Sequence, residues 1–139
     1  MYPFLFLLVI DCFSGKMRMS KGNGIIKGII VTINISISHL MFIDDMLLGG
    51  ESIVGEWRTI RDIIKSFGVA SSLCMDEGKS ILLHDDSDEN VIKDTCDLFG
   101  VASSIVDDCF TYLGFKIKLK GYYNQDWAWL IQIFHKKIG

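Results

Sequence analysis

The chain is short of the features that would place it in a class at once. Its four cysteines, Cys12, Cys74, Cys96 and Cys109, show no Cys-x-x-Cys spacing. That argues against zinc and for buried free thiols in a reducing compartment. Basic residues show no excess: 14 Lys and Arg stand against 17 Asp and Glu, a net charge of −3. No global positive field announces a nucleic acid, so such a partner would have to be held by local basic strips. Long apolar runs are missing too. Met1 to Ile10 is apolar, but Asp11 ends the run well short of the roughly 18–20 residues that a span requires, and no basic leader precedes it. The expectation is an intracellular chain, cytoplasmic or nuclear, neither secreted nor membrane-bound.

What is abundant is apolar side chain. Half of the 139 residues are hydrophobic and the mean hydropathy is positive, at +0.34. The length suits one domain with a core of its own, but that hydropathy is unusual for a free-standing soluble domain. The stretch Ile37 to Gly50 stands out, because Asp44 and Asp45 sit side by side in an apolar run closed by Gly49-Gly50. A buried unpaired charge costs several kcal/mol, and adjacent acids also repel, so a divalent cation is a natural partner. Apolar runs of this length bounded by glycine read as strands. The pattern predicts a β-hairpin with Asp44 and Asp45 at its tip, offering oxygens to a hard cation such as Mg²⁺. Two other acidic doublets read as solvated turns: Asp85-Asp86 runs straight into Ser87-Asp88-Glu89, and Asp107-Asp108 follows a Ser-Ser loop.

Pro3, the single proline, suits a first helical turn, and Phe4 to Phe13 continues as a helix apolar nearly all round. Gly15 to Gly24, with Lys16, Arg18 and Lys21, reads as a basic loop. Ile25 to Ile37 is rich in β-branched residues and reads as strand. Ile53, Trp57, Ile60, Ile64 and Phe67 recur at helical steps and predict a helix over about 52–67, stopped by a left-handed Gly68. Ser72 to Asp76 and Lys79 to His84 predict a second hairpin around Glu77-Gly78. Ser87 is expected to cap a helix that ends at Gly100. Phe67-Gly68-Val69-Ala70-Ser71-Ser72 recurs as Phe99-Gly100-Val101-Ala102-Ser103-Ser104, which reads as one helix-ending solution used twice. Phe110 to Lys120 is strand-like, with Lys116, Lys118 and Lys120 alternating with apolar residues. That face is either solvated or a weak contact to a nucleic-acid backbone. Asn124 is placed to cap a last helix carrying Trp127 and Leu130.

In this order the segments resemble the palm and early thumb of reverse transcriptases from non-LTR (LINE-type) retrotransposons. Pro3-Phe4-Leu5-Phe6-Leu7-Leu8-Val9 is similar to the motif B helix of that family. Ser38-His39-Leu40-Met41-Phe42-Ile43-Asp44-Asp45 resembles motif C, the hairpin holding the polymerase metals. Lys79-Ser80 falls where motif D has its lysine. Tyr112-Leu113-Gly114-Phe115 resembles motif E, the primer grip, and Gly121 to Lys137 resembles the start of the thumb. The resemblance implies an α+β fold, a polymerase palm-like antiparallel sheet packed against helices. Residues 1–109 would be a partial palm with motifs B, C and D, and residues 110–139 the motif E hairpin and the start of the thumb helix.

The activity it implies is RNA-directed DNA polymerisation on an RNA template, a DNA primer and dNTPs. Two Mg²⁺ ions would activate the primer hydroxyl and neutralise pyrophosphate. Asp44 and Asp45 would be catalytic metal ligands, Lys79 a proton donor to the leaving group, and Tyr112, Leu113 and Gly114 the primer grip. The departures are equally specific. No motif A strand with its aspartate, no fingers and no Gln-Gly entry to motif B are found, Ile43 replaces a small residue, and Asp76 replaces an asparagine. The resemblance therefore implies an incomplete palm that is inactive alone, needing the missing upstream polymerase segments, with an unpaired apolar edge where motif A would lie. The alternatives are a non-catalytic retroelement remnant that binds nucleic acid weakly, and a small metal-binding or interaction domain unrelated to polymerases.

Overall fold

The computed structural model describes residues 3–42, 45–85, 88–107 and 109–118, with 123, 125, 128, 132, 135 and 136 beyond them. Asp44, Ser87, Lys120, Trp127 and Trp129 lie outside the described residues, as does most of the expected last helix. Within them the chain is α+β: helices α1 (Pro3–Gly22), α2 (Val54–Ser71) and α3 (Glu89–Phe99), with strands β1 (Ile29–Thr32), β2 (Ile35–Ile37), β3 (His39–Phe42), β4 (Asp45–Leu48), β5 (Ile81–His84), β6 (Ala102–Ile105), β7 (Cys109–Tyr112) and β8 (Phe115–Lys118).

The strands do not join into the one antiparallel sheet that was expected. They form four separate pairs, β1–β2, β3–β4, β5–β6 and β7–β8. Three pairs are antiparallel hairpins, but β5 and β6 run parallel, with Ile81 opposite Ala102 and His84 opposite Ile105. Parallel neighbours need a crossover, and α3 provides it. The expected hairpin between 72–76 and 79–84 is therefore absent. Asp76 instead folds its side chain onto the Gly78 N–H at 3.0 Å, and Glu77–Lys79 closes as a 3₁₀ turn.

Helix α1 runs through the expected basic loop. Phe13 and Met17 stand one turn apart, only 2% and 0% exposed, and they pack with Ile26, Ile60 and Ile63 to form the core. Burial of that stripe carries the helix across Gly15, where side-chain contacts outweigh the poor propensity of glycine. The expected single strand over 25–37 is a hairpin instead, turning at Ile33-Asn34. The cysteines are not buried as expected: Cys12 and Cys74 are exposed, and Cys96 and Cys109 half-buried, all four as free thiols.

The recurring hexapeptide takes two conformations. Gly100 adopts φ 67° beyond α3 and donates its N–H to the Cys96 carbonyl, as a glycine cap does. Gly68 stays helical, and the left-handed residue comes four positions later at Ser72, φ 59°, which donates to the Gly68 carbonyl. The second copy leaves its helix early because Ala102–Ile105 is drawn into a ladder with β5. The first copy has no strand waiting for it. A side chain in this region costs about 1 kcal/mol, so Ser72→Gly is expected to stabilise the chain by about 0.5–1 kcal/mol, read as a higher urea midpoint.

Much apolar surface stays uncovered. Phe4, Leu5, Leu7 and Leu8 of α1 and Ile33 of the first hairpin are all exposed, Ile33 fully. Among the described residues each strand of a two-stranded pair also keeps an open edge.

Candidate functional site

The β3–β4 hairpin pairs His39 with Leu48, Leu40 with Leu47, Met41 with Met46 and Phe42 with Asp45. Alternation turns Met41, Met46 and Leu48 towards the core, while Leu40 and Phe42 remain partly exposed. The strands connect through positions 43 and 44, outside the described residues, and Asp45 opens β4 with its carboxylate exposed. The strand–turn–strand reading of this stretch therefore matches the fold around Asp45.

The hairpin is pinned to α1 at its base. Ser14 Oγ of α1 lies 2.7 Å from His39 Nε2, and Ser38 Oγ lies 2.9 Å from His39 Nδ1. The Phe13 ring meets the imidazole edge-on, with centroids 6.2 Å apart. Burial holds the His39 pKa below its usual value, and Arg18 and then Lys21 lower it further. The folded state therefore resists a proton that the unfolded chain accepts below about pH 6.5. The His39 contribution is complete above that pH and is lost as pH falls through it towards the folded pKa. Melting curves at pH 7.5 and 5.5 are expected to show a drop in Tm, part of which disappears in His39→Gln.

The other expected site residues are distributed as follows. Tyr112 ends β7, and its hydroxyl oxygen is buried without a hydrogen-bond partner among the described residues. Burial raises its pKa, and the Asp45 carboxylate raises it further. Leu113 and Gly114 make that turn with φ 51° and 80°, the twist that matches a two-residue hairpin. Lys79 lies on the exposed 3₁₀ turn, and its ammonium faces Asp76 at 3.8 Å. Lys116 is exposed on β8, while Lys118 is half-buried with its ammonium 5.6 Å from the Tyr123 ring centre. Lys120 lies outside the described residues.

One residue central to this region was missed. Glu56, in the first turn of α2, is only 4% exposed. Its Oε1 accepts from the Lys27 N–H at 2.9 Å and the Gly28 N–H at 3.1 Å, and its Oε2 from the Glu51 N–H at 3.2 Å. Glu51 is held further by a 3.1 Å ion pair with Lys27 and by the Trp57 indole N–H donating to its carbonyl at 2.9 Å. The glycines make room for this junction. A Cβ on Gly50 would sit 3.0 Å from Glu56 Oε1, and one on Gly49 would sit 2.9 Å from the Ile37 carbonyl oxygen. From the sequence, an acid in a first helical turn reads as a helix-dipole partner. The glycine pair six residues earlier was the only signal of a close approach.

No family model, no curated protein and no solved structure matches this chain. Among the described residues no three His, Cys, Asp or Glu side chains gather into a metal-binding group, and no helix is long and apolar enough to cross a membrane. Asp45 offers hard carboxylate oxygens at the exposed start of β4. That chemistry suits Mg²⁺, which commonly takes one or two carboxylates and fills its remaining positions with water or phosphate oxygens.

Proposed function

We propose that the chain is part of the palm of a retroelement RNA-directed DNA polymerase, with Asp44 and Asp45 as the carboxylates that hold Mg²⁺ for nucleotidyl transfer. The observation that carries this reading is the hairpin itself, a four-residue antiparallel ladder that brings Asp45 to the tip beside Phe42. The order of the look-alike segments along the chain supports it. Template RNA, primer DNA and dNTPs are the partners the reading implies, and Tyr112, Leu113 and Gly114 are the residues it assigns to the primer end. Lys79, exposed beside Asp76, would serve as proton donor only once substrate draws it away. Among the described residues no third acid joins Asp45, so the chain alone is expected to bind the metal weakly and to incorporate no nucleotide in a primer-extension assay.

Paramagnetic Mn²⁺, titrated into the ¹⁵N-labelled chain, tests the metal seat. Broadening is expected first at Phe42, Asp45, Met46 and Tyr112, and is expected to vanish from them in Asp44→Asn/Asp45→Asn. Equal broadening around Asp88-Glu89 and Asp107 that the double substitution leaves untouched would identify general acidic-surface binding and remove the metal seat.

A further inference from the structure

The Glu56 carboxylate joins two places that are far apart in sequence. Lys27 and Gly28 lead into β1, Glu51 follows β4, and everything between them is the pair of hairpins that ends in the Asp45 tip. All three backbone donors converge on one side chain, which is itself almost wholly buried. The segment is closed at its root by a residue belonging to neither hairpin. The second tie at that root is the Ser14–His39–Ser38 contact to α1, reinforced by the Gly49 N–H donating to the Ser38 carbonyl at 2.8 Å. With α1 holding β3 and α2 holding the chain on either side, the tip has a direction set from below.

We propose that Glu56 is a positioning residue: by gripping both ends of the hairpin segment from the first turn of α2, it sets where the β3–β4 tip carries its carboxylates. Its consequence for metal binding rests on the polymerase reading above, whereas its consequence for the hairpin does not. Glutamine is the informative replacement. One amide oxygen can keep the Lys27 and Gly28 N–H groups, but the amide NH₂ then turns towards the Glu51 N–H, where donor meets donor. The exit from β4 is released while the entry to β1 stays held. Gly50→Ala disturbs the other oxygen, because its Cβ would press on Glu56 Oε1, which holds Lys27 and Gly28, and on the Trp57 ring, 3.0 and 3.2 Å away.

The experiment is amide hydrogen exchange on the full chain carrying Glu56→Gln or Gly50→Ala, with the Mn²⁺ titration run alongside. Exchange at Leu40, Phe42 and Leu47, whose N–H groups face the partner strand in the register set by the Gly49–Ser38 bond, is expected to quicken by about tenfold, with Ile60 and Ile63 of α2 unchanged, since local opening is cheaper than global unfolding. A brace that merely stabilises the fold quickens the hairpin and α2 amides together. That result in both variants, or changes confined to Lys27, Gly28 and Glu51, overturns the proposal. Should Glu56→Gln fail to fold, the Gly50→Ala pattern decides alone. In the Mn²⁺ arm the wild-type broadening at Asp45 is expected to weaken in both variants. Absence of that broadening in the wild type removes the metal reading, and the exchange pattern still decides the positioning role.

Discussion

Gly28→Ala is expected to destabilise the chain by about 3 kcal/mol or more, which urea unfolding read by tryptophan fluorescence will measure. Gly28 has φ 79°, where any side chain costs about 1–2 kcal/mol. A Cβ there would also lie 2.5 Å from the Ile37 carbonyl oxygen, 2.7 Å from its carbon and 2.9 Å from the Ser38 nitrogen. These are backbone atoms of β2 and of the residue that leads into β3, and no rotamer change moves them aside. Crowding of this kind typically adds about 1–3 kcal/mol. Gly24 supplies the control. It has a similar φ of 73°, yet nothing lies within 4 Å of its added Cβ, so Gly24→Ala carries the conformational cost alone, about 1–2 kcal/mol. Equal losses at the two positions would show that the close approach of Ile37 contributes nothing. With a core of only Phe13, Met17, Ile26, Ile60 and Ile63 among the described residues, the larger loss is a substantial share of the roughly 5–15 kcal/mol that holds an ordinary domain folded.

What could be read in advance was what is local. The β3–β4 hairpin, the helical stripe of Trp57, Ile60 and Ile64 and the glycine cap at Gly100 all rest on spacing within a few residues, and the fold has them. Phe110 to Lys120, read from its pattern as strand, instead turns back at Leu113-Gly114, a hairpin that only the motif E resemblance implied. The misreadings occur where distant partners decide. Gly15 to Gly22 looks like loop until Met17 is seen buried among α2 residues. Ser72 to Asp76 looks like half a hairpin until β6, on the far side of α3, pairs with β5. Identical hexapeptides end one helix and continue another, since the strand that captures the second copy has no counterpart beside the first. Glu56 is the extreme case. Its partners are backbone N–H groups 28–29 residues earlier and five residues before it in the chain, and backbone donors leave no mark in the identity of the residues that carry them. At the candidate metal seat the legible part was the acidic doublet, and the part that was not is the root from which its hairpin is held.

Removing that root entirely is expected to have the second large effect. Glu56→Ala deprives the Lys27, Gly28 and Glu51 N–H groups of their acceptor. Donors to a carboxylate contribute about 1.5–3 kcal/mol each, and an unsatisfied buried donor costs about 1–3. Only the Gly28 bond is fully buried; the Lys27 and Glu51 bonds are part-buried and open to replacement by water. The expected loss is therefore about 3–4 kcal/mol rather than the sum of three full terms. Asp62→Ala, at a carboxylate that is 68% exposed and faces Arg61 at 3.7 Å, should change stability by no more than about 0.5 kcal/mol. The decisive measurement is the double variant. Gly28→Ala and Glu56→Ala act on the two ends of one hydrogen bond, so once either has broken the junction the other has less left to lose. The combined loss should fall short of the sum by about 1 kcal/mol or more, beyond the few tenths expected of independent sites. Strict additivity would mean that the glycine and the carboxylate stabilise the root of the hairpin separately, and that no single junction holds it.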